Sequence, residues 1–565
     1  MKPIIECVPN ISEGRDQAVI QAVAGAAESV DGVTLLDVDP GRATNRTVIT
    51  FAGEPDAVVE AAFQLITKAS ELIDMRHHSG EHPRFGATDV CPFVPVAHAT
   101  MDDCIDCARR LGERVGRELN IPVYLYENAA ASPERRNLAT VRAGEYEGIA
   151  DRISTPEWAP DFGPATFNPA AGNIAIGARD FLIAYNVNLN TTSVARANSV
   201  AFDVREKGRI KTEDGTPNGT KVLDDNGDPV REPGMCTGVK AIGWYIEEYG
   251  MAQISMNITD VRATPLHEAF DACVESAHRR GLRVTGSELV GLVPLDSMLD
   301  AGRYFLRKQG RSAGVSEAEL VRIAVKSLGL DDLKPFDPRH SIIEYRLRSD
   351  DDRPLIHTDL ADFAHETASD SPAPGGGSIS AYVGALGAAL GTMVSNLSAH
   401  KYRWEDRWTE FSDWAERGQD VTDRLLHLVD EDTHAFNRIL DAVRMPKGSD
   451  AEKAARAEAM TAATKNAIEV PLRIMRTAVE TFDLLDAMAR DGNPNSISDA
   501  GVGALCARTA VRGAYLNVLI NMDGLDDADF VRTTRDEAER LLGEAERREA
   551  AVMTLVNEGI GSHAS

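Results

Sequence analysis

The chain has 565 residues, 43% of them apolar and 26% charged, a soluble globular composition too long for one hydrophobic core, so two or three domains are expected. A formal charge of −28 with no basic patch along the sequence argues against nucleic acid as a partner. The opening residues, with Lys2, Pro3, Glu6 and Pro9 close together, lack a signal-peptide pattern, and seven scattered cysteines suit a reducing cytoplasm.

The first third alternates strand and helix signals. Residues 4–8 and 33–38 read as strands with a helix at 17–29 between them, and 46–51 follows as a strand. Pro55 opens a helix whose Val58, Val59, Ala62, Leu65, Ile66, Ala69, Leu72 and Ile73 share one face. Residues 88–96 form the next strand. The order is βαββαβ, the ferredoxin-like pattern, extended by a helix at 101–119 and a strand at 123–126. Cys104 and Cys107 form a lone CxxC inside that helix, which reads as packing. The pattern then repeats: strand 181–189, helix 193–207, strands 239–247 and 252–258, helix 265–280 and a short strand at 283–285. Between 207 and 240 lies a polar insertion rich in Gly, Asn, Asp and Pro, a hairpin or a mobile loop. The N-terminal half is therefore α+β, two ferredoxin-like βαββαβ sandwiches with a groove between them where a ligand can lodge.

Before the strand at 88–96 runs HHSGEHPRFGATDVCPFVP, residues 77–95. Pro83 pushes His82 toward an extended conformation, and Gly80 and Gly86 allow bends on either side. An imidazole there is either a solvated loop histidine or a proton carrier near neutrality. His78 and His82 are spaced like metal ligands, but Pro83 disfavours one helix presenting both and no third ligand is evident.

Residues 346–354, RLRSDDDRP, are charged and unpatterned, and mark a boundary. Beyond them strand signals stop and helical periodicity runs almost to the end, an all-α bundle. Residues 371–399 carry no charge, long enough to weigh as a membrane span. The polar side chains there, and Gly384, Gly387 and Gly391, instead suit a buried central helix. Its start, Gly375, Gly376, Gly377 and Ser378, offers free backbone N–H groups to an anion or carboxylate, without the lysine of a P-loop. In the next helix Val421, Leu425, Leu428, Val429, Ala435, Phe436 and Ile439 form a stripe with Asp432 at its centre, while Asp430 and Glu431 point away. A carboxylate in an apolar seam is costly and titrates high. Asp432 is thus a proton carrier or a residue holding another helix's end. In GNPNSISDAGVGAL, residues 492–505, Ser498 or Asp499 is placed to cap the helix that follows.

These stretches resemble a known family. IIECVPNISEGRD, LLDVDPG with TNRTV, GEHPRFGATDVCPFVP, VYLYE, RAGEYE, WAPDFGPATFNPAAG and GWYIEEYGMAQISMN are similar to the formiminotransferase domain over about residues 1–346. PAPGGGS, VDEDTHAF followed by RMPK, NPNSISDAG and AYLNVLINM resemble the formiminotetrahydrofolate cyclodeaminase domain over 355 to about 559. Together they resemble the bifunctional formimidoyltransferase-cyclodeaminase family, which links histidine degradation to the one-carbon folate pool.

The resemblance implies domains at 1–179 and 180–346, a linker at 347–354 and a helical domain at 355–565. It makes His82 the catalytic residue of formimino transfer and Asp432 that of ring closure. It assigns folate to Gly163, Pro164, Ala165, Thr166, Phe167, Asn168, Pro169, Ala170, Ala171 and Gly172, a segment whose residues alone also read as an interdomain linker. Arg84 and Asp39 are helper candidates by placement. The implied substrates are N-formimino-L-glutamate and tetrahydrofolate, free or polyglutamylated, with tetrahydrofolate as co-substrate and no metal or redox cofactor. A cytoplasmic homo-oligomer built from dimers, without membrane or nucleic acid, is expected. Rival readings are a formyl donor, one active half beside a structural folate-binding half, and a non-catalytic folate-binding protein.

Overall fold

Short runs of apolar residues in the first 180 positions build a seven-stranded mixed sheet in this computed structural model. The structure describes residues 3–42, 44–80, 84–215, 219–347, 354–401, 406–523 and 525–563. The strands are β1 (Ile4–Cys7), β2 (Asn10–Ile11), β3 (Val33–Gly41), β4 (Arg46–Gly53), β5 (Thr88–Ala97), β6 (Val123–Glu127) and β7 (Ile174–Ala178). β1 and β2 together pair antiparallel with β4 on one side and β5 on the other, and β3 lies outside β4. This is the ferredoxin-like order, extended beyond β5 by parallel β7 and β6. Helices α1 (Gln17–Glu28), α2 (Pro55–Leu72) and α3 (Met101–Arg114) join the core that contains Ile5, Cys7, Ile49, Phe51, Cys91 and Phe93. Cys104 and Cys107 are buried there, as packing.

β7 has no counterpart among the expected strands. It is buried at every position, so it lacks the alternation that marks a half-exposed strand. Because β7 lies in the first sheet, residues 163–172 belong to the connection between β6 and β7 and are not an interdomain linker.

The second sandwich contains β8 (Ile183–Leu189), α4 (Val194–Val204), β9 (Val239–Ile246), β10 (Met251–Ile258), α5 (Leu266–Arg279) and β11 (Val284–Val290), in sheet order β9-β10-β8-β11. β11 extends well beyond the expected 283–285. The polar insertion is a hairpin: Arg209–Ile210 pairs with Arg231–Glu232, and bridges join Thr212 to Lys221 and Leu223 to Pro229. Helices α6 (Leu295–Lys308) and α7 (Glu317–Leu328) follow.

Two compact units emerge, residues 1–300 with 325–347 and residues 301–324 with 348–565. In the second, the end of α6 and the chain after it are anchored to the bundle. Ala313 N donates to Ser412 Oγ at 3.0 Å, Asn396 Nδ2 to Gly314 O at 2.8 Å, and Arg307 pairs with Glu416 at 2.8 Å.

The bundle consists of α8 (Leu360–Thr367), α9 (Gly376–Ala399), α10 (Trp408–Arg444), α11 (Asp450–Asp491), α12 (Ile497–Asn521) and α13 (Ala528–His563). α9 has 24 residues and a mean hydropathy of 1.4, enough to cross a membrane by length and composition, but it is the central core helix. Its small residues set two close contacts. A β-carbon on Gly384 would meet Ala510 of α12 at 3.0 Å and Leu425 of α10 at 3.3 Å; one on Gly387 would meet Gly503 O at 2.9 Å. Phe411 and Phe482, fully buried, each contribute roughly 1.5–3 kcal/mol of burial.

Candidate active sites

In the first unit, residues paired across antiparallel strands share a face. Ile5, Cys7, Ile49 and Phe51 belong to the helix-covered core. The alternate positions Glu6, Arg46, Thr50 and Ala52 therefore face the other way, and the register Asp39↔Val48, Asp37↔Thr50 and Asn10↔Val48 adds Asp39, Asp37 and Asn10 to that face. The TNRTV and VPN motifs thus place polar groups on the sheet face opposite the helices.

Arg46 donates to Asn10 Oδ1, and its guanidinium lies 4.0 Å from Asp89. Arg142, which opens RAGEYE, pairs with the same carboxylate at 2.8 Å. Asp89 is only 1% exposed; burial raises its pKa while Arg142 and Arg46 pull against that. Asn45, in the left-handed region at φ 50°, ties three segments together. Its Oδ1 accepts from Gly14 N at 2.9 Å, its Nδ2 donates to Ser79 O at 2.9 Å, and its carbonyl accepts from His78 Nε2 at 2.9 Å. His78 Nδ1 is buried with no hydrogen-bond partner among the described residues.

His82 lies outside the described residues. Gly80 and Arg84, the nearest described residues before and after it, are well anchored. A β-carbon on Gly80 would meet Thr44 O at 2.2 Å, so only glycine passes there. Arg84 pairs with Glu147, holding that carboxyl below its usual range, and lies 4.9 Å from the centre of the Tyr146 ring. Tyr146 in turn touches Phe167 and donates its hydroxyl to Pro169 O at 2.5 Å.

The candidate folate segment meets this loop along its second half. Met75 N donates to Ala170 O at 2.9 Å, and Ala87 N to Ala171 O at 2.8 Å. Asn168 Oδ1 accepts from Ala170 N and Ala171 N, closing a turn. Arg84, Phe167, Asn168, Pro169, Ala170, Ala171 and Gly172 are thus brought together, while Ala165 and Thr166 are exposed and Pro164 is half-buried. Gly163 and Gly172 serve the protein's own backbone instead of approaching a flat ligand. A β-carbon would meet Ile121 O at 2.5 Å in the first case and Phe85 O at 2.6 Å in the second, and both have positive φ. Asp39 is exposed on the sheet-edge strand β3, beyond β4.

In the second unit the start of α9 meets Asp432 of α10. Asp432 Oδ2 accepts from Ser378 N at 2.9 Å and from Ser378 Oγ at 3.2 Å, while that hydroxyl also lies 2.8 Å from Val429 O. The arrangement is a helix cap supplied by another helix. Burial raises the Asp432 pKa and the two Ser378 bonds oppose it. Asn517 of α12 approaches Gly376, with its Nδ2 3.2 Å from where a β-carbon would stand. Gly375, the N-cap, is in extended backbone, and a β-carbon there would meet nothing nearer than Pro372 O at 4.0 Å.

Three expectations need correction. Asp430 does not point away into solvent: it is 2% exposed and accepts from Leu355 N at 2.9 Å and Ile356 N at 3.4 Å. α10 is covered on more than its apolar stripe, and a carboxylate that receives backbone N–H groups can be buried on a face that hydrophobic spacing calls polar. Phe436, counted in the stripe, is 39% exposed. Neither Ser498 nor Asp499 caps α12; its N-cap is Ser496, and Asn493 caps the short turn before it.

Sequence reasoning gave no role to Asn10, Asn45, Arg46, Asp89, Arg142, Tyr146 or Asn517, though all but Asn517 and Asp89 sit in short polar motifs ahead of or between strands. A cleft of about 400 Å³ between α10 and α11, lined by Trp414, Arg417, Val421, Arg424, Thr481 and Leu484, includes neither Asp432 nor Ser378.

Three family models match the chain: the formiminotransferase domain, N-terminal subdomain, over residues 4–179; the formiminotransferase domain over 184–348; and formiminotransferase-cyclodeaminase over 359–540. The chain is 41% identical over 554 residues to a formimidoyltransferase-cyclodeaminase of Mus musculus, covering 98% of each. It is 42% identical over 307 residues to a glutamate formimidoyltransferase of Streptococcus pyogenes, covering 54% of this chain and 94% of that one. It is also 40% identical over 183 residues to a methenyltetrahydrofolate cyclohydrolase of Methylorubrum extorquens, covering 32% of this chain and 88% of that one.

Proposed function

The chain belongs to the formimidoyltransferase-cyclodeaminase family and is a bifunctional enzyme of folate-dependent histidine degradation; from that premise we propose that His82 carries the transfer and Asp432 the ring closure. N-formimino-L-glutamate and tetrahydrofolate are the substrates, and tetrahydrofolate is a co-substrate. Nitrogen 5 of the folate attacks the amidine carbon of the donor. His82 takes the proton from that nitrogen and returns one to the glutamate amine, which leaves with the C–N electron pair. The GEHPR motif supports this role, as does the anchoring of its neighbours Gly80 and Arg84 between Asn45 and Tyr146. Arg84 and the Phe167 to Ala171 stretch form the folate-side wall.

Ring closure follows in the helical unit. Nitrogen 10 attacks the same carbon of the protonated 5-formimino group. Asp432 takes the nitrogen 10 proton and delivers it to the former imino nitrogen, which leaves as ammonia with its bonding pair. The 5,10-methenyl cation remains, and charge is conserved. The observation that carries this reading is the half-buried Asp432 carboxylate, lifted by burial and held at a glycine-lined helix start. A carboxylate that titrates high is suited to pass a proton in both directions.

The division at 1–179, 180–346, 347–354 and 355–565 fits this two-reaction scheme. The anchoring of Ala313 and Gly314 on the bundle means that the helical part also draws stability from residues 301–324. Exposed Leu386, Met393 and Leu397 of α9, with Val502, Leu505, Leu516 and Ile520 of α12, fit coverage by a second copy in a homo-oligomer. Seven free cysteines suit the cytoplasm.

Formiminoglutamate and formylglutamate assayed side by side with tetrahydrofolate test the reading. The formimino donor should yield methenyltetrahydrofolate and ammonia together. Turnover with formylglutamate alone, or transfer without ammonia release, overturns it.

A further inference from the structure

The contacts of α9 form two ladders. Against α12 they run Gly387 with Gly503, Gly384 with Ala510, Ser380 with Gly513 and Gly376 with Asn517. Against α10 they run Thr392 with Gly418, Gly384 with Leu425 and Gly377 with Asp432. Both ladders are antiparallel and packed through small residues, and both reach the helix start at consecutive glycines. There each meets a polar side chain, a carboxylate on one side and a carboxamide on the other.

The carboxamide has a defined orientation. Asn517 Nδ2 donates to Gly513 O, one turn back along α12, at 2.9 Å. That bond places the amide nitrogen and leaves Oδ1, which accepts no hydrogen bond from a described residue, as the remaining acceptor. Packing alone does not call for asparagine at this position, since the ladder below it is made of Gly and Ala.

We propose that Asn517 is a second substrate-contacting residue of ring closure, whose Oδ1 accepts an N–H of the nitrogen that departs as ammonia. The inference rests on Asp432 being the proton carrier of this site. The departing nitrogen carries two N–H groups once the tetrahedral carbon has formed, and it must turn its lone pair toward the proton held by Asp432. An acceptor on the opposite side of the glycine pair fixes that rotation, and it does not titrate in competition with the carboxylate. Bond making and breaking are unchanged: the nitrogen 10 to carbon bond forms, nitrogen 10 loses its proton to Asp432, and the carbon to ammonia bond breaks.

The test uses the full chain with 5-formiminotetrahydrofolate as substrate, and formimino transfer in the same preparation as the internal control. Asn517→Ala should lower kcat of ring closure at least tenfold, with transfer and the thermal midpoint of the helical unit unchanged. Asn517→Asp keeps an oxygen acceptor but adds a charge near Asp432, so the acid limb of the pH–rate profile should move upward, which a purely structural residue would not cause. Normal ring closure in Asn517→Ala, or a loss matched by a fall in midpoint, overturns the inference. Asp432→Asn run alongside separates the two failures. If that variant is inactive while Asn517→Ala is normal, only the role of Asn517 falls; if Asp432→Asn is active, the underlying reading falls with it.

Discussion

Asp432 lies against the backbone of Gly377 so closely that a β-carbon on that glycine would stand 2.0 Å from Oδ1. The glycine is therefore a requirement of the carboxylate's position. Gly377→Ala must push Asp432 or the first turn of α9 aside, at a cost of roughly 1–3 kcal/mol for overpacking. Ring closure should fall by more than tenfold while formimino transfer is untouched. Unaltered ring closure in this variant would mean that the carboxylate moves freely, and that its present position does not matter.

The two aspartates on α10 should part company. Asp432→Asn is nearly isosteric and keeps an acceptor for Ser378, so the fold should persist while ring closure collapses and 5-formiminotetrahydrofolate accumulates. Asp430→Asn should do the reverse, because a carboxylate that receives two backbone N–H groups is weakened there. It should lose roughly 1–3 kcal/mol of stability in the helical unit and keep ring closure per folded molecule. Thermal melting beside methenyl absorbance reads both. An inactive but fully stable Asp430→Asn would exchange the two roles.

How much of this was legible follows the physics of each signal. The ferredoxin-like order was readable because strands such as β9 and helices such as α2 each carry a periodic buried face. β7 was not, since a fully buried parallel strand carries no alternation. Asp432 stood out because it interrupts an apolar stripe. Asp430 did not, because the residues that bury it, Leu355 and Ile356, are 75 and 74 positions away. The Arg46, Asp89 and Arg142 cluster joins three segments in the same way, so no local spacing announces it. Gly163 and Gly172 show the opposite error, where a residue type that suits ligand approach is needed for the chain's own crossing.

His82 and His78 make a paired test in the first unit. His82→Asn removes the titratable nitrogen and should slow formimino transfer by about 10²- to 10⁴-fold, leaving cyclodeamination of supplied 5-formiminotetrahydrofolate intact. His78 is bonded to the Asn45 carbonyl, so His78→Asn should act through the loop. It should weaken substrate binding, seen as a raised KM, more than it lowers kcat. A full loss of kcat in His78→Asn with normal transfer in His82→Asn would reassign the proton carrier.

Glu6 supplies a pH dependence that comes from the fold itself. It sits on β1 at 5% exposure, and burial, with Glu344 nearby, raises its pKa from 4.5 to about 7 although Arg179 pulls the other way. Below about pH 4.5 the carboxyl is neutral in both folded and unfolded chains, and its contribution to stability is fully present. Between 4.5 and about 7 the unfolded chain releases this proton while the folded one retains it, so stability is lost as pH rises through that window. At about 1.36 kcal/mol per pKa unit the full effect is on the order of 3 kcal/mol. Glu6→Gln mimics the neutral form at every pH. The variant should therefore match the parent near pH 4.5, melt at a higher temperature at pH 8, and show a flatter stability profile between them. The first unit's transition, followed by calorimetry at pH 5, 6, 7 and 8, provides the comparison. Parallel profiles for the two proteins would show that Glu6 ionises normally in the folded chain, through ion pairing with Arg179 strong enough to offset its burial.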